Sequence, residues 1–213
     1  KAVSKGLETK LLVSDMPFIS YQTSAEEAVK NAGRFLKEGK AEAVKMEGGS
    51  EYEEEIKKVI DAGIPVMGHL GLTPQKIKQL DGYKPRGKSV KEAKQIFEDA
   101  KKLEELGVFS LVLESIPTEL SEKITQELEI PTIGIGAGAK CDGQILVLHD
   151  LLGISEKNPK FVKSYADLSS TIEKAVKEFE TEVKEEEFPT SENSYNMKEG
   201  FAKELEGSLK KDE

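Results

Sequence analysis

The chain has 213 residues, 33% of them charged and 37% hydrophobic, which is enough for one large domain or two small ones and for a substantial core. A net charge of −9 and an isoelectric point near 5.1 argue against nonspecific binding to nucleic acid or to an anionic membrane. No apolar run approaches the ~20 residues of a membrane span, no secretory signal opens the sequence, and the single cysteine, Cys141, excludes an internal disulfide and suits a reducing cytoplasm.

Short apolar runs alternate with amphipathic stretches. "KLLVSD" (10–15) predicts a strand, and "TSAEEAVKNAGRFLKEG" after it a helix, with Ser24-x-x-Glu27 as a capping box and Gly39 as its end. "AVKME" (43–47) is the second strand, and "SEYEEEIKKVIDAG" the helix behind it. "IPVMGHLG" (64–71) is the third strand, followed by a long polar connection, "LTPQKIKQLDGYKPRGKS" (72–89). "SVKEAKQIFEDAKKLEELG" is the next helix, again opened by a capping box, Ser89-x-x-Glu92. "VFSLVLES" (108–115) is the fourth strand, "TELSEKITQELE" a helix, and "IPTIGIGAG" (130–138) the fifth strand. "GQILVLHDLLG" (143–153) fits a strand or a buried helix. Ile145, Leu148 and Leu152 favour helix, which places a sixth strand at "KFVKSY" (160–165) and a last helix at "DLSSTIEKAVKEFETEV". Residues 184–213 are polar and highly charged and read as a tail, with a short helix near "MKEGFAKELEGSL".

Strands alternating with helices imply a parallel sheet covered by helices, either doubly wound or a (β/α)8 barrel. A barrel needs eight units and ~250 residues; six strands are predicted, so either the sheet is open or two units precede the first strand.

Parallel α/β folds place their chemistry at the C-terminal ends of strands. There the chain carries Asp15, Lys45 with Glu47, His69 and Glu114. Alternation along the second strand puts Lys45 and Glu47 on one side. Unpaired buried charges cost several kcal/mol (roughly) unless compensated, and a divalent cation would compensate these. Asp15 and Glu47 are oxygen ligands of the kind Mg²⁺ takes, Lys45 suits a substrate carboxylate or enolate, and Glu114 is the candidate general base. Such a set fits proton chemistry beside a carbonyl. Gly134-x-Gly136-x-Gly138 lacks the dinucleotide-binding spacing and reads as close packing or substrate approach.

"SDMPF", "VKMEGG", "GHLGLTPQ", "LVLESIP", "IGIGAG", "DGQILVLHD" and "PKFVKSYADL", in this order, resemble the 3-methyl-2-oxobutanoate (ketopantoate) hydroxymethyltransferases over about residues 1–195. The resemblance implies a (β/α)8 TIM barrel of the phosphoenolpyruvate/pyruvate type, with residues 1–183 supplying six of eight units and the first two strands missing. It implies transfer of a hydroxymethyl group from 5,10-methylenetetrahydrofolate to 3-methyl-2-oxobutanoate, giving 2-dehydropantoate in pantothenate and coenzyme A synthesis, with Mg²⁺. It further implies a cytoplasmic homo-oligomer, a decamer, acting on small molecules. Position by position it makes Asp15 a metal ligand touching substrate, Lys45 a keto-acid binder, Glu47 a metal ligand and Glu114 the proton acceptor. His69 becomes an active-site neighbour without an assigned role. "DGYKPRGKS" departs from the family's loop, and Asn193 stands where the family carries a histidine. Two other readings are a Mg²⁺-dependent 2-oxo-acid carbon–carbon lyase and a non-catalytic truncated barrel or assembly subunit.

Overall fold

A computed structural model describes residues 1–76, 82, 84–156 and 158–209. Its elements in chain order are α1 (Ala2–Gly6), β1 (Val13–Asp15), α2 (Ala25–Gly39), β2 (Ala43–Glu47), α3 (Glu53–Asp61), β3 (Val66–Gly71) and α4 (Val90–Leu106). After these come β4 (Ser110–Glu114), α5 (Thr118–Glu127), β5 (Thr132–Ile135), β6 (Gly143–Gln144), α6 (Leu148–Leu151), α7 (Leu168–Lys184) and α8 (Phe201–Leu209). Both expected caps form: the Ser24 hydroxyl accepts from Glu27 N and the Ser89 hydroxyl from Glu92 N, each at 3.2 Å. Such caps satisfy amides that the first helical turn would leave without partners.

The six strands form one parallel sheet in the order β1-β2-β3-β4-β5-β6. Each strand lies beside its predecessor, with no reversal of direction across the sheet. A doubly wound sheet contains such a reversal, whereas a barrel wall is built in strict succession.

Alternation then divides the side chains. Val44, Met46, Leu111 and Leu113 are fully buried and pack with Ala28 and Ala32 of α2, Ile56 and Val59 of α3, Leu103 of α4 and Ile124 of α5. The opposite parity carries Asp15, Lys45, Glu47, His69 and Glu114. Helices therefore cover the apolar face, and the chemistry-bearing residues share the other.

Two expectations for the end of the sheet fail. Residues 160–165 form no strand; the sixth strand is Gly143–Gln144, paired through Ile133↔Gly143 and Gly134↔Gln144. The helix expected over 143–153 shrinks to Leu148–Leu151, because the ladder claims its start and Ile145 N still donates to Gly134 O at 3.0 Å. Phe161 instead lies half-buried against Gly136, where an added Cβ would meet the ring at 2.5 Å. Its apolar character serves packing on the glycine loop, which fits the packing reading of the glycine series. The polar connection expected at 72–89 lies partly outside the described residues. What is described of it shows Arg86 bonded to Glu92 at 2.6 Å and Arg86 N donating to Ser115 O at 2.9 Å.

The chain divides into two compact units, Lys1–Val147 with Asn158–Val162, and Leu148–Lys157 with Lys163–Glu213. The first holds the whole sheet and α1 to α5; the second holds α6, α7 and α8. The boundary expected at 183/184 falls at the end of α7, inside the second unit. Among the described residues no helix is long and apolar enough to cross a membrane.

Candidate active site

Sheet register brings the five singled-out residues together. Asp15 is the partner of Lys45 across β1 and β2, and Glu47 is the partner of His69 across β2 and β3. In a parallel ladder such partners point to the same face. Glu114 is the partner of Gly71 across β3 and β4, two residues beyond His69. Gly71 carries no side chain, so the space beside Glu114 is left to His69.

The contacts follow from that register. Lys45 Nζ lies 2.8 Å from Asp15 Oδ1, 3.8 Å from Glu47 Oε1 and 3.1 Å from His69 Nδ1. His69 Nδ1 is 3.8 Å from Glu47 Oε1, and His69 Nε2 is 3.2 Å from Glu114 Oε2. Asp15, Lys45, His69 and Glu114 thus form one line across four strand ends, with Glu47 beneath the middle of it. Exposure grades along the line: the Asp15 side chain is 54% exposed, Lys45 17%, Glu114 14%, and Glu47 and His69 3% each. The open end can receive a ligand while Glu47 and His69 stay buried.

Burial pushes the Glu47 carboxyl above the usual carboxylate range, against the opposing pull of His69, Lys45 and the Gln75 amide. Among the described residues no group of three His, Cys, Asp or Glu side chains is disposed to hold a metal. Asp15 and Glu47 remain as two hard oxygen donors on neighbouring strands.

Two residues that the sequence reading did not single out hold Glu47 in place. The Tyr21 hydroxyl accepts from Glu47 N at 3.1 Å and donates to Glu47 O at 3.0 Å, with Gln75 Oε1 a second acceptor at 3.3 Å. Gln75 N donates to Glu47 Oε2 at 3.1 Å, Gln75 Nε2 to Met16 O at 2.7 Å, and Gln22 Nε2 to Gln75 Oε1 at 3.0 Å. Gln75 therefore ties together the ends of β1 and β2 and the loop after β3. Burial drives the Tyr21 phenol pKa upward, with the Glu47 backbone bond opposing, so the hydroxyl keeps its proton. Gln75 lies in the "GHLGLTPQ" stretch. Tyr21 had only a general signal, since a fully buried tyrosine needs a partner for its hydroxyl.

The loop after β2 closes on the same cluster. Gly48 N donates to His69 O at 3.0 Å, and the Glu51 carboxylate accepts from Gly49 N at 2.9 Å and from Lys76 Nζ. Lys76 also sits 4.5 Å over the Tyr52 ring, which meets Tyr21 edge-on at 5.4 Å.

A sequence model of the ketopantoate hydroxymethyltransferases matches residues 1–191. The 3-methyl-2-oxobutanoate hydroxymethyltransferase of Carboxydothermus hydrogenoformans is 54% identical over 198 residues, covering 92% of this chain and 72% of that protein. The enzyme of the same name from Syntrophus aciditrophicus is 56% identical over 196 residues, with the same shares. Among solved structures, phosphonopyruvate hydrolase superposes with a TM-score of 0.50 at 12% identity, over 96% of this chain and 71% of that one. The phosphoenolpyruvate phosphomutase of Streptomyces platensis subsp. rosaceus gives 0.50 and 12%, over 96% and 73%. At that identity the likeness concerns fold alone, and it agrees with the parallel α/β sheet in strict strand succession.

Proposed function

The chain belongs to the ketopantoate hydroxymethyltransferase family, and from that premise we propose that it transfers a hydroxymethyl group from 5,10-methylenetetrahydrofolate to 3-methyl-2-oxobutanoate, with Glu114 as the base. It is a transferase of pantothenate synthesis. The observation that carries the finer reading is the line Asp15–Lys45–His69–Glu114, which sets an ammonium and a carboxylate on either side of one imidazole.

Magnesium fits the residues present. Three carboxylates (Asp15, Glu47, Glu114) less one ammonium (Lys45) leave two negative charges, which one divalent cation balances. Mg²⁺ is usually held by one or two carboxylates, with water and substrate completing its shell; Asp15 and Glu47 would hold it here. When bound, it supplies Lewis-acid polarisation of the keto oxygen.

The chain's own residues do the rest. Lys45 has three N–H donors; two face Asp15 and His69, and the third is available to a keto acid's oxygens. Glu114, mostly sequestered from water, takes the C3 proton. One water takes up the folate's methylene as its two C–N bonds break and tetrahydrofolate leaves; the carbanion bonds to that carbon, whose water-derived oxygen becomes the new hydroxyl. Lys45 lowers the cost of the negative charge that develops on the oxygen. Asp15 stands at the exposed rim, where substrate enters.

Deuterium exchange at C3 of 3-methyl-2-oxobutanoate, with Mg²⁺ and without folate, tests this reading. Glu114→Gln should abolish exchange while leaving folding and Mg²⁺ binding unchanged. Near-normal exchange in that variant removes Glu114 as the base.

A further inference from the structure

We propose that His69 is a positioning residue for the base: its ring is held in one tautomer by Lys45, and its Nε2–H takes Glu114 as its acceptor. This rests on the reading of Glu114 given above.

The tautomer follows from donor bookkeeping. Lys45 Nζ lies 3.1 Å from His69 Nδ1, and the same nitrogen faces Asp15 at 2.8 Å and Glu47 at 3.8 Å, so it is an ammonium among carboxylates. An ammonium only donates. Nδ1 therefore accepts, and the ring proton lies on Nε2.

That proton has one destination. His69 is 2% exposed, and its Nε2 is the buried side-chain atom that makes no hydrogen bond among the described residues. Glu114 Oε2 is nonetheless only 3.2 Å away. The distance suits a hydrogen bond and the alignment does not, so a small rotation of the Glu114 carboxylate completes it. A buried N–H left without an acceptor is costly, so the imidazole pulls the carboxylate toward itself. With Oε2 held, Oε1 is the oxygen left to meet the C3 proton. Opposite Glu114, Gly71 offers no side chain that could do this instead. One ring thereby spaces the ammonium from the base and fixes which oxygen reacts.

Two measurements test it. The chain has two histidines, and the second, His149, is exposed, so an ¹⁵N-histidine spectrum assigned with His149→Gln reports the His69 ring directly. The Nε2–H tautomer is expected; a proton on Nδ1 overturns the proposal. The second uses a pair of substitutions. A glutamine amide reaches the place of Nε2, whereas an asparagine amide reaches only that of Nδ1. With Mg²⁺ present, His69→Asn should lower kcat for C3 exchange roughly 100-fold, within the range of general-base contributions, with KM for the keto acid little changed. His69→Gln should recover at least a tenth of the wild-type rate. Equal loss in both variants, a near-normal rate in the asparagine variant, or an effect confined to KM each overturns it. Should Glu114→Gln retain exchange, the underlying reading fails; should it lose exchange while His69→Asn does not, the present proposal alone fails.

Discussion

Gly71→Ala should be among the most damaging single-methyl additions to this sheet, and the structure gives the size. Gly71 has φ +98°, and a Cβ added there would lie 2.2 Å from Glu114 O and 2.7 Å from Ile116 Cγ2. Two costs follow. A left-handed conformation costs an ordinary residue ~1–2 kcal/mol, and displacing packed backbone costs ~1–3 kcal/mol, so the expected loss is about 2–5 kcal/mol. Gly63→Ala separates the two, because Gly63 has φ +83° but nothing within 4 Å of the added carbon; it should lose only ~1–2 kcal/mol. The assay is urea unfolding followed by far-ultraviolet circular dichroism, with free energies extrapolated linearly at matched slopes. Glu114 O is also the acceptor for Leu72 N at 2.8 Å. Pushing that carbonyl shifts the residue that carries the base, so C3 exchange should fall in Gly71→Ala and not in Gly63→Ala. Equal destabilisation of the two variants, within ~0.5 kcal/mol, would show that the contact contributes nothing and refute the argument.

Tyr21→Phe keeps the ring and removes the acceptor of Glu47 N, leaving a buried amide unpaired at about 1–3 kcal/mol. It should also weaken Mg²⁺ binding in calorimetric titration; unchanged affinity alongside the stability loss would show that Glu47 does not need the pin. Glu51 tests linkage. Burial raises its pKa, but the bonds from Lys76 and backbone amides outweigh that and hold the carboxyl below its usual value. A depressed folded-state pKa stabilises above the unfolded value and is lost as pH falls through the folded one. Glu51→Gln should therefore be less stable than wild type at pH 7 and equal to it at the acid end; a difference that persists in acid would contradict the assignment.

The second strand shows what sequence alone conveys about this site. Alternation placed Lys45 and Glu47 on one face before any fold was known, and the structure agrees. Alternation could not say that Asp15 falls beside Lys45 and Glu47 beside His69. Register depends on which strands pair and by how much they are offset, and neither is written locally. Tyr21 and Gln75 were missed for a similar reason. Their hydrogen bonds span 26 and 28 residues to Glu47, and neither residue type signals such a bond in its own neighbourhood. At the other end of the sheet, Phe161 and Val162 looked like strand because apolar character does not reveal its partner. The true edge strand, Gly143–Gln144, has no apolar pattern to detect. The two caps, by contrast, depend on residues three apart and were legible.

Strict succession of the strands has a kinetic consequence. Each strand pairs with one already made, and the widest separation between paired residues is that of Met67 and Ser110. Loop closure is therefore modest for a parallel sheet. Growth can run in the direction of synthesis, each new β–α unit adding to an existing edge. Asp15, Lys45, Glu47, His69 and Glu114 all lie in β1 to β4, so their cluster can assemble while the later units are still being made. An arrest series that lengthens the nascent chain beyond Glu114 would find Lys45, Glu47, His69 and Glu114 protected from solvent exchange before α7 has left the ribosome.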